Sequence, residues 1–178
     1  TSASTKPIGK CAYKHYHHSR ATPYLIDRVD REYKKHFMLP TKKFKSIKYI
    51  YINRHNRRLK NEMEVQEMLQ EIGFVIVNLE DLTLDEQILV FANAKIIIGF
   101  HGAGLSNLLY ANSSAKVFEI VDQDCVHPCY KDGIVIPGKK ATRTYFHMLC
   151  EMKGIVYYPI ESKKYTLDMP NFKNKLTT

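Results

Sequence analysis

The sequence predicts an α/β domain built on a Rossmann-like, doubly wound parallel sheet. Two observations carry that expectation. Short, nearly all-apolar runs alternate with amphipathic stretches of helical period, and the apolar runs lack the in-out alternation of strands with one wet face. Strands of that kind are buried on both sides, which requires helices above and below the sheet. With 178 residues and 44% hydrophobic side chains, the chain is long enough for one such domain and too apolar for general disorder.

In chain order, residues 1–46 form a basic lead-in with one helix, in which Leu25, Ile26, Val29, Tyr33 and Phe37 recur at helical spacing. Pro40 and the KKFK segment interrupt it. The core, residues 47–165, opens with IKYIYIN, a β-branched and aromatic strand, followed by the basic turn RHNRRLK. NEMEVQEMLQEIG carries Met63, Met68, Leu69 and Ile72 and stops at Gly73, the residue type that best tolerates a left-handed cap, so it reads as a helix. FVIVNL is the second strand. Thr83 with Glu86 three positions later is a capping box for a helix carrying Ile88, Phe91 and Ala92. KIIIGF is the third strand, HGAGLSNLLYA a glycine turn opening a short helix, and KVFEIV the fourth strand. The segment containing HPC and IPG reads as a loop, TRTYFHMLCEMKG as a helix and IVYYPI as the last strand, with residues 166–178 as a tail.

Several functions are excluded or narrowed by composition. No run approaches the roughly 18–20 apolar residues that a bilayer crossing needs, so no transmembrane segment is expected in this chain. It opens TSASTKPIGK, without an initiator methionine or an apolar leader, so either an excised or a processed piece of a longer protein is expected. The net charge of +9 is uneven: residues 1–60 hold 16 basic and 3 acidic side chains, and the remainder 11 and 15. A basic end of that kind attracts either a phosphate-bearing small molecule or a nucleic acid. Cys11, Cys125, Cys129 and Cys150 are too few to frame a chain of this length with disulfides, and they leave the compartment open. Asn112-Ser113-Ser114 matters as a glycan acceptor only inside a secretory lumen.

In doubly wound sheets ligands collect beyond the carboxyl ends of the strands, where helix N-termini point outward. Three segments fall there: RHNRR after the first strand, FHGAG after the third, and Glu119 with its following loop after the fourth. Gly99, Gly102 and Gly104 spell neither the dinucleotide fingerprint nor a Walker A loop, which disfavours a dehydrogenase or a P-loop ATPase. Glycines there let the backbone approach a phosphate, or simply permit a tight strand-to-helix turn. His101 within the turn is able to donate to a phosphate or carry a proton. Asp122-Gln123-Asp124 offers metal-binding carboxylates or a plain turn, while Cys125, His127 and Cys129, like His15, His17 and His18, form no complete zinc pattern.

The strings IYINRHNRRLKNEMEVQEML, GFVIVNLEDLTLDEQILVFANAKIIIGFHGAGLSNLLYANSSAKVFEIV and YFHMLCEMKGIVYYPI stand in the order and spacing of glycosyltransferase family 61, and the chain resembles that family over roughly residues 47–160. The family includes the EGF-domain-specific and dystroglycan-modifying O-linked N-acetylglucosaminyltransferases and the plant xylan arabinosyl- and xylosyltransferases. On that resemblance, Arg54 matches the first arginine of the motif and Arg57 the second when counted back from Asn61. The gap between the arginines is short, so Arg58 stays a candidate beside Arg57. Glu62 matches the acid after Asn61 and Gln87 the helix glutamine. His101, Gly102, Ala103, Gly104, Leu105 and Asn107 match the glycine motif, and Glu119 the acidic strand end. Phe100 departs from the pattern, standing where the family has a small residue.

The resemblance implies the carboxyl-terminal, nucleotide-binding half of a GT-B glycosyltransferase. Such an enzyme transfers a sugar, with inversion, from a nucleotide-sugar donor, UDP-linked, to a hydroxyl of a protein or glycan acceptor. An amino-terminal domain would supply much of the acceptor site. Arginines and helix N–H groups stabilise a leaving diphosphate without help, so no cofactor and no divalent metal is expected. Glu119 would take the ribose hydroxyls, and His101 is the catalytic candidate. Two other classes remain: a basic polyanion- or nucleic-acid-binding module with Tyr13, Tyr16, Tyr49 and Tyr51 as stacking platforms, and a catalytically degenerate domain of the same fold. No nucleic-acid partner is expected on the first reading.

Overall fold

The computed structural model describes residues 26–29, 31–32, 44, 46–54, 59–122, 127–131, 134–141 and 145–176. Five strands, β1 (Tyr49–Asn53), β2 (Val75–Asn78), β3 (Ile96–Phe100), β4 (Lys116–Asp122) and β7 (Val156–Ser162), pair in the order β2-β1-β3-β4-β7. Every pairing is parallel. Ile50, Ile52, Ile97 and Val117 serve one apolar layer, and Tyr51, Ile98, Phe118 and Ile120 the other. Two buried faces are why each strand reads as an unbroken apolar string.

The first layer is closed by α2 (Leu84–Asn93), a 3-10 segment (Ala103–Tyr110) and α3 (Tyr145–Lys153), through Val90, Phe91, Leu105, Leu108, Phe146 and Leu149. The second is closed by α1 (Glu62–Glu71) and α4 (Met169–Leu176), through Val65, Met68, Leu69, Met169 and Phe172. The result is a Rossmann-like three-layer arrangement, as the alternation of elements predicts.

Local signals explain the boundaries. Gly73 takes φ 91°, and its N–H donates to Gln70 while that of Phe74 donates to Leu69, closing α1 with a left-handed cap whose next residue, Phe74, is buried. At α2 the capping box forms in both directions between Thr83 and Glu86.

Four differences from the sequence expectation have physical causes. The buried stripe of α1 is Val65, Met68 and Leu69 at i, i+3, i+4, and it leaves Met63 and Ile72 exposed. The helix after β3 is 3-10: its apolar residues Leu105, Leu108 and Ala111 recur every third position, which fits three residues per turn. The segment read as a loop contains an antiparallel hairpin, β5 (His127–Lys131) with β6 (Ile134–Ala141). Its register shifts between Pro128 and Cys129, which is how a ladder accommodates proline. The segment read as a tail carries α4, whose Phe172 is only 1% exposed. Of the amino-terminal helix, residues 26–29 and 31–32 are helical and Ile26 is buried in the first layer, while Leu25, Tyr33 and Phe37 lie outside the described residues.

Candidate functional site at the switch point

The chain leaves β1 for β2 on one side and returns to β3 on the other, so the carboxyl ends of β1 and β3 flank the point where the winding reverses. A crevice forms there in folds of this class. Arg54 is the first residue beyond β1, and its Nη1 donates to the main-chain carbonyl of His101, the first residue beyond β3, at 2.9 Å. The guanidinium then lies across Gly102: a Cβ at that position would stand 1.7 Å from Nη1. Glycine is required here by close approach of the arginine, since the Gly102 backbone is extended (φ 160°) and open to any residue. At Gly104 a Cβ would meet Leu79 Cδ1 at 2.9 Å, so this glycine seats the 3-10 segment against the end of β2.

A pocket of about 260 Å³ opens beside the arginine, lined among others by Asn53, Arg54, Glu80, Gln87, Ala103, Gly104 and Asn107. Gln87 sits in the first turn of α2. Its amide nitrogen donates to the carbonyls of Leu79 (2.9 Å) and Leu82 (3.2 Å), and its carbonyl accepts from Asn107 at 2.9 Å. The capping box thus fixes the helix start that fixes Gln87, which in turn fixes the glycine segment. Asn53 donates to Asn78 at 2.7 Å and accepts from Gln66 at 3.2 Å, tying the ends of β1, β2 and α1 together.

Beneath the turn lies a buried polar network. Glu119 is fully buried and three residues inside β4, where its strand neighbours are Gly99 and Pro159. Oε1 pairs with Nδ1 of His101, and Oε2 accepts from the Tyr157 hydroxyl at 2.6 Å. His101 is 7% exposed as a residue, and its ring is packed 5.4 Å from that of Phe146. Burial, then the charge of Glu119 and the hydrogen bond to it, push the Tyr157 phenol far above its ordinary range. Burial also pushes the Cys150 thiol up to about 12, with Glu119 adding to the effect and Lys153 opposing it.

The structure therefore brings together Arg54, Gln87, Ala103, Gly104 and Asn107 around one pocket, with Gly102 under the arginine and His101 and Glu119 behind the turn. Asn61 stands apart from them. Its side chain pairs in both directions with the main chain of Leu167 (2.9 and 3.0 Å) and lines a separate open cleft of about 690 Å³ with Lys60, Lys163 and Lys164. Glu62 accepts from the Tyr51 hydroxyl (2.6 Å) and from the Leu59 N–H (3.1 Å), which anchors the far end of the loop after β1. Arg57 and Arg58, between Arg54 and Leu59 in the sequence, lie outside the described residues.

Asp122 is 1% exposed and accepts from Ser162 Oγ at 2.9 Å and from the Tyr165 N–H, so its carboxylate serves the end of β7; Asp124 and Cys125 lie outside the described residues. Among the described residues no group of three His, Cys, Asp or Glu side chains could hold a metal. Tyr51 is in the core, its phenol pushed well up by burial and by Glu62, while Tyr49 is 38% exposed and rests on Phe74; Tyr13 and Tyr16 are outside the described residues. No described helix is long and apolar enough to cross a membrane. Sequence reasoning missed Tyr157, Asn53 and Glu80. The first two appear in the sequence only as strand residues, and nothing local marks a tyrosine that pairs with an acid 38 positions away.

The chain is 32% identical over 117 residues to the EGF domain-specific O-linked N-acetylglucosamine transferase of Drosophila melanogaster, covering 62% of this chain and 21% of that protein. It is 26% identical over 92 residues to the beta-1,2-xylosyltransferase of Arabidopsis thaliana, covering 51% and 14%. The Gallus gallus EGF domain-specific O-linked N-acetylglucosamine transferase is 33% identical over 81 residues, covering 43% and 15%. The chain thus spans about a fifth or less of the length of these relatives. The family model described as Glycosyltransferase 61 matches residues 8–118, more than half of the chain, and takes in the arginine loop, the Gln87 helix and the whole glycine turn. With that match laid over the pocket, the chain belongs to the glycosyltransferase 61 family.

Proposed function

We propose that this chain is the donor-binding half of a GT-B glycosyltransferase that moves a sugar, with inversion, from a UDP-linked donor to a hydroxyl of a protein or polysaccharide. The observation that carries the reading is the Arg54 guanidinium held across the Gly102 turn at the switch point, beside a polar pocket. A guanidinium with several donors, next to a glycine turn, suits a diphosphate that gains negative charge as it leaves. Arg57 or Arg58, three or four residues beyond Arg54 in the sequence, is the second arginine of this reading. Small-molecule pockets run to roughly 300–1,000 Å³, so a pocket of about 260 Å³ suits the diphosphate and adjoining groups, with the rest of the donor and the acceptor falling to a second domain. The relatives' names point to N-acetylglucosamine or xylose as the sugar.

In the reaction, the acceptor oxygen bonds to the anomeric carbon from the face opposite the diphosphate, whose oxygen departs with the bonding electron pair. The acceptor proton goes to a base, for which His101 is the candidate. Arginine and N–H groups meet the developing charge, and no divalent metal takes part. A thermal-shift series tests the reading: at a hundredfold excess over its dissociation constant, UDP should stabilise the fold by about 2.7 kcal/mol. A flat response to every nucleoside diphosphate and UDP-sugar would remove the donor site.

A further inference from the structure

Glu119 is fully buried on the same face of β4 as Val117, the face whose apolar layer also includes the α3 residues Phe146, Leu149 and Cys150. An acid in such a place is costly unless its oxygens are matched by donors. Here both are matched, one by His101 and one by Tyr157. Oε2 accepts from the Tyr157 hydroxyl, and with Oε1 as an acceptor as well, Nδ1 carries the imidazole proton. The other ring nitrogen, Nε2, then holds a lone pair. It has no partner among the described residues, although the side chain is 9% exposed. A buried polar nitrogen left without a partner calls for a ligand.

We propose that Tyr157 and Glu119 are positioning residues that fix His101 as the Nδ1–H tautomer, leaving Nε2 to take the proton of a substrate hydroxyl. The inference rests on the donor-site reading above and adds to it a defined proton path. The hydroxyl O–H bond breaks, its oxygen bonds to the anomeric carbon, the diphosphate leaves with its electron pair, and the proton moves to Nε2. The resulting imidazolium faces the Glu119 side chain and later returns the proton to water. Tyr157 keeps its own proton throughout, since its only described polar partner is the carboxylate that accepts it. The groups packed around the relay are Tyr157 on β7, Phe146, His147, Cys150 and Lys153 on α3, and Arg54 after β1. The His147 ring lies 4.9 Å from that of Tyr157, tilted by 35°, and Lys153 donates to the Leu109 carbonyl.

The test is a long-range proton–nitrogen spectrum of histidine-labelled protein, joined to turnover of the full-length enzyme. In the wild type, His101 should appear as the Nδ1–H tautomer. In Glu119→Gln, whose amide can donate to Nδ1, it should switch to the Nε2–H form. Tyr157→Phe should populate both forms and lower kcat about tenfold, leaving KM for the donor within about twofold, the scale on which partners that orient a histidine act. Tyr158→Phe, on the opposite face against Phe118, should change neither quantity. A wild-type His101 in the Nε2–H form overturns the proposal even if neither variant folds. So does a Tyr157→Phe enzyme with an unaltered tautomer or unaltered kcat. If the spectra agree but the protein ignores UDP, the positioning of the His101 proton by Glu119 and Tyr157 stands, and the donor-site reading fails together with the transfer step drawn through it.

Discussion

At the scale of single residues, Gly102 and Arg54 make the sharpest pair. A methyl group at residue 102 collides with the end of a flexible side chain and with nothing in the core, so Gly102→Ala should fold and displace the arginine. We expect UDP affinity to fall about tenfold, on the scale of a lost charge-assisted hydrogen bond, with a melting temperature close to that of the wild type. A variant that binds UDP normally would show that the arginine does not need the glycine. A second residue-scale prediction concerns alkali. The Cys150 thiol is pushed up to about 12 from an ordinary value of 9.0, so the folded chain keeps a proton that the unfolded chain releases. That contribution to stability is complete below about pH 9 and is lost as pH rises through about 12. Tyr51 and Tyr157, both displaced upward, act in the same direction from about pH 10. Urea unfolding between pH 8 and 11 should therefore weaken less steeply in Cys150→Ala than in the wild type, and equal slopes would assign the whole effect to the tyrosines.

At the scale of elements, stability and site geometry meet in α2. Thr83→Ala removes the acceptor for the Glu86 N–H and should cost about 1 kcal/mol, read as a lower urea midpoint with an unchanged slope. This capping box was legible in the sequence because it is a local signal with fixed spacing, as was Gly73 at the end of α1. The apolar strands were legible for a similar reason: burial on both faces leaves no polar position to break the run. What the sequence hid depends on partners far along the chain. Proline and glycine in HPC and IPG signal a loop, and only the pairing of β5 with β6 makes a hairpin of them. Asn61 is placed beside Arg57 by sequence, yet the main chain of Leu167 takes its side chain. Glu119 reads as an acid at a strand's end, whereas the register puts it between Gly99 and Pro159 and within reach of Tyr157.

At the scale of the whole molecule, the strand order decides where chemistry gathers. Because β1 and β3 are neighbours on opposite sides of the reversal, two turns separated by 47 residues meet, and an arginine from one binds the main chain of the other. Their meeting was legible as a rim where RHNRR and FHGAG converge; the contact itself was not, since it runs through a carbonyl that any residue could supply. The net charge of +9 is concentrated before residue 61 in the sequence, and Arg54 brings one of those charges to this edge. The most direct measurement is therefore a calorimetric titration of UDP into the wild type and Arg54→Ala, first with EDTA and then with Mn²⁺. The account predicts binding that the chelator leaves alone, that manganese changes by less than about twofold, and that Arg54→Ala weakens by about tenfold or more. It is contradicted if UDP does not bind, if Arg54→Ala binds as the wild type does, or if manganese raises the affinity about tenfold.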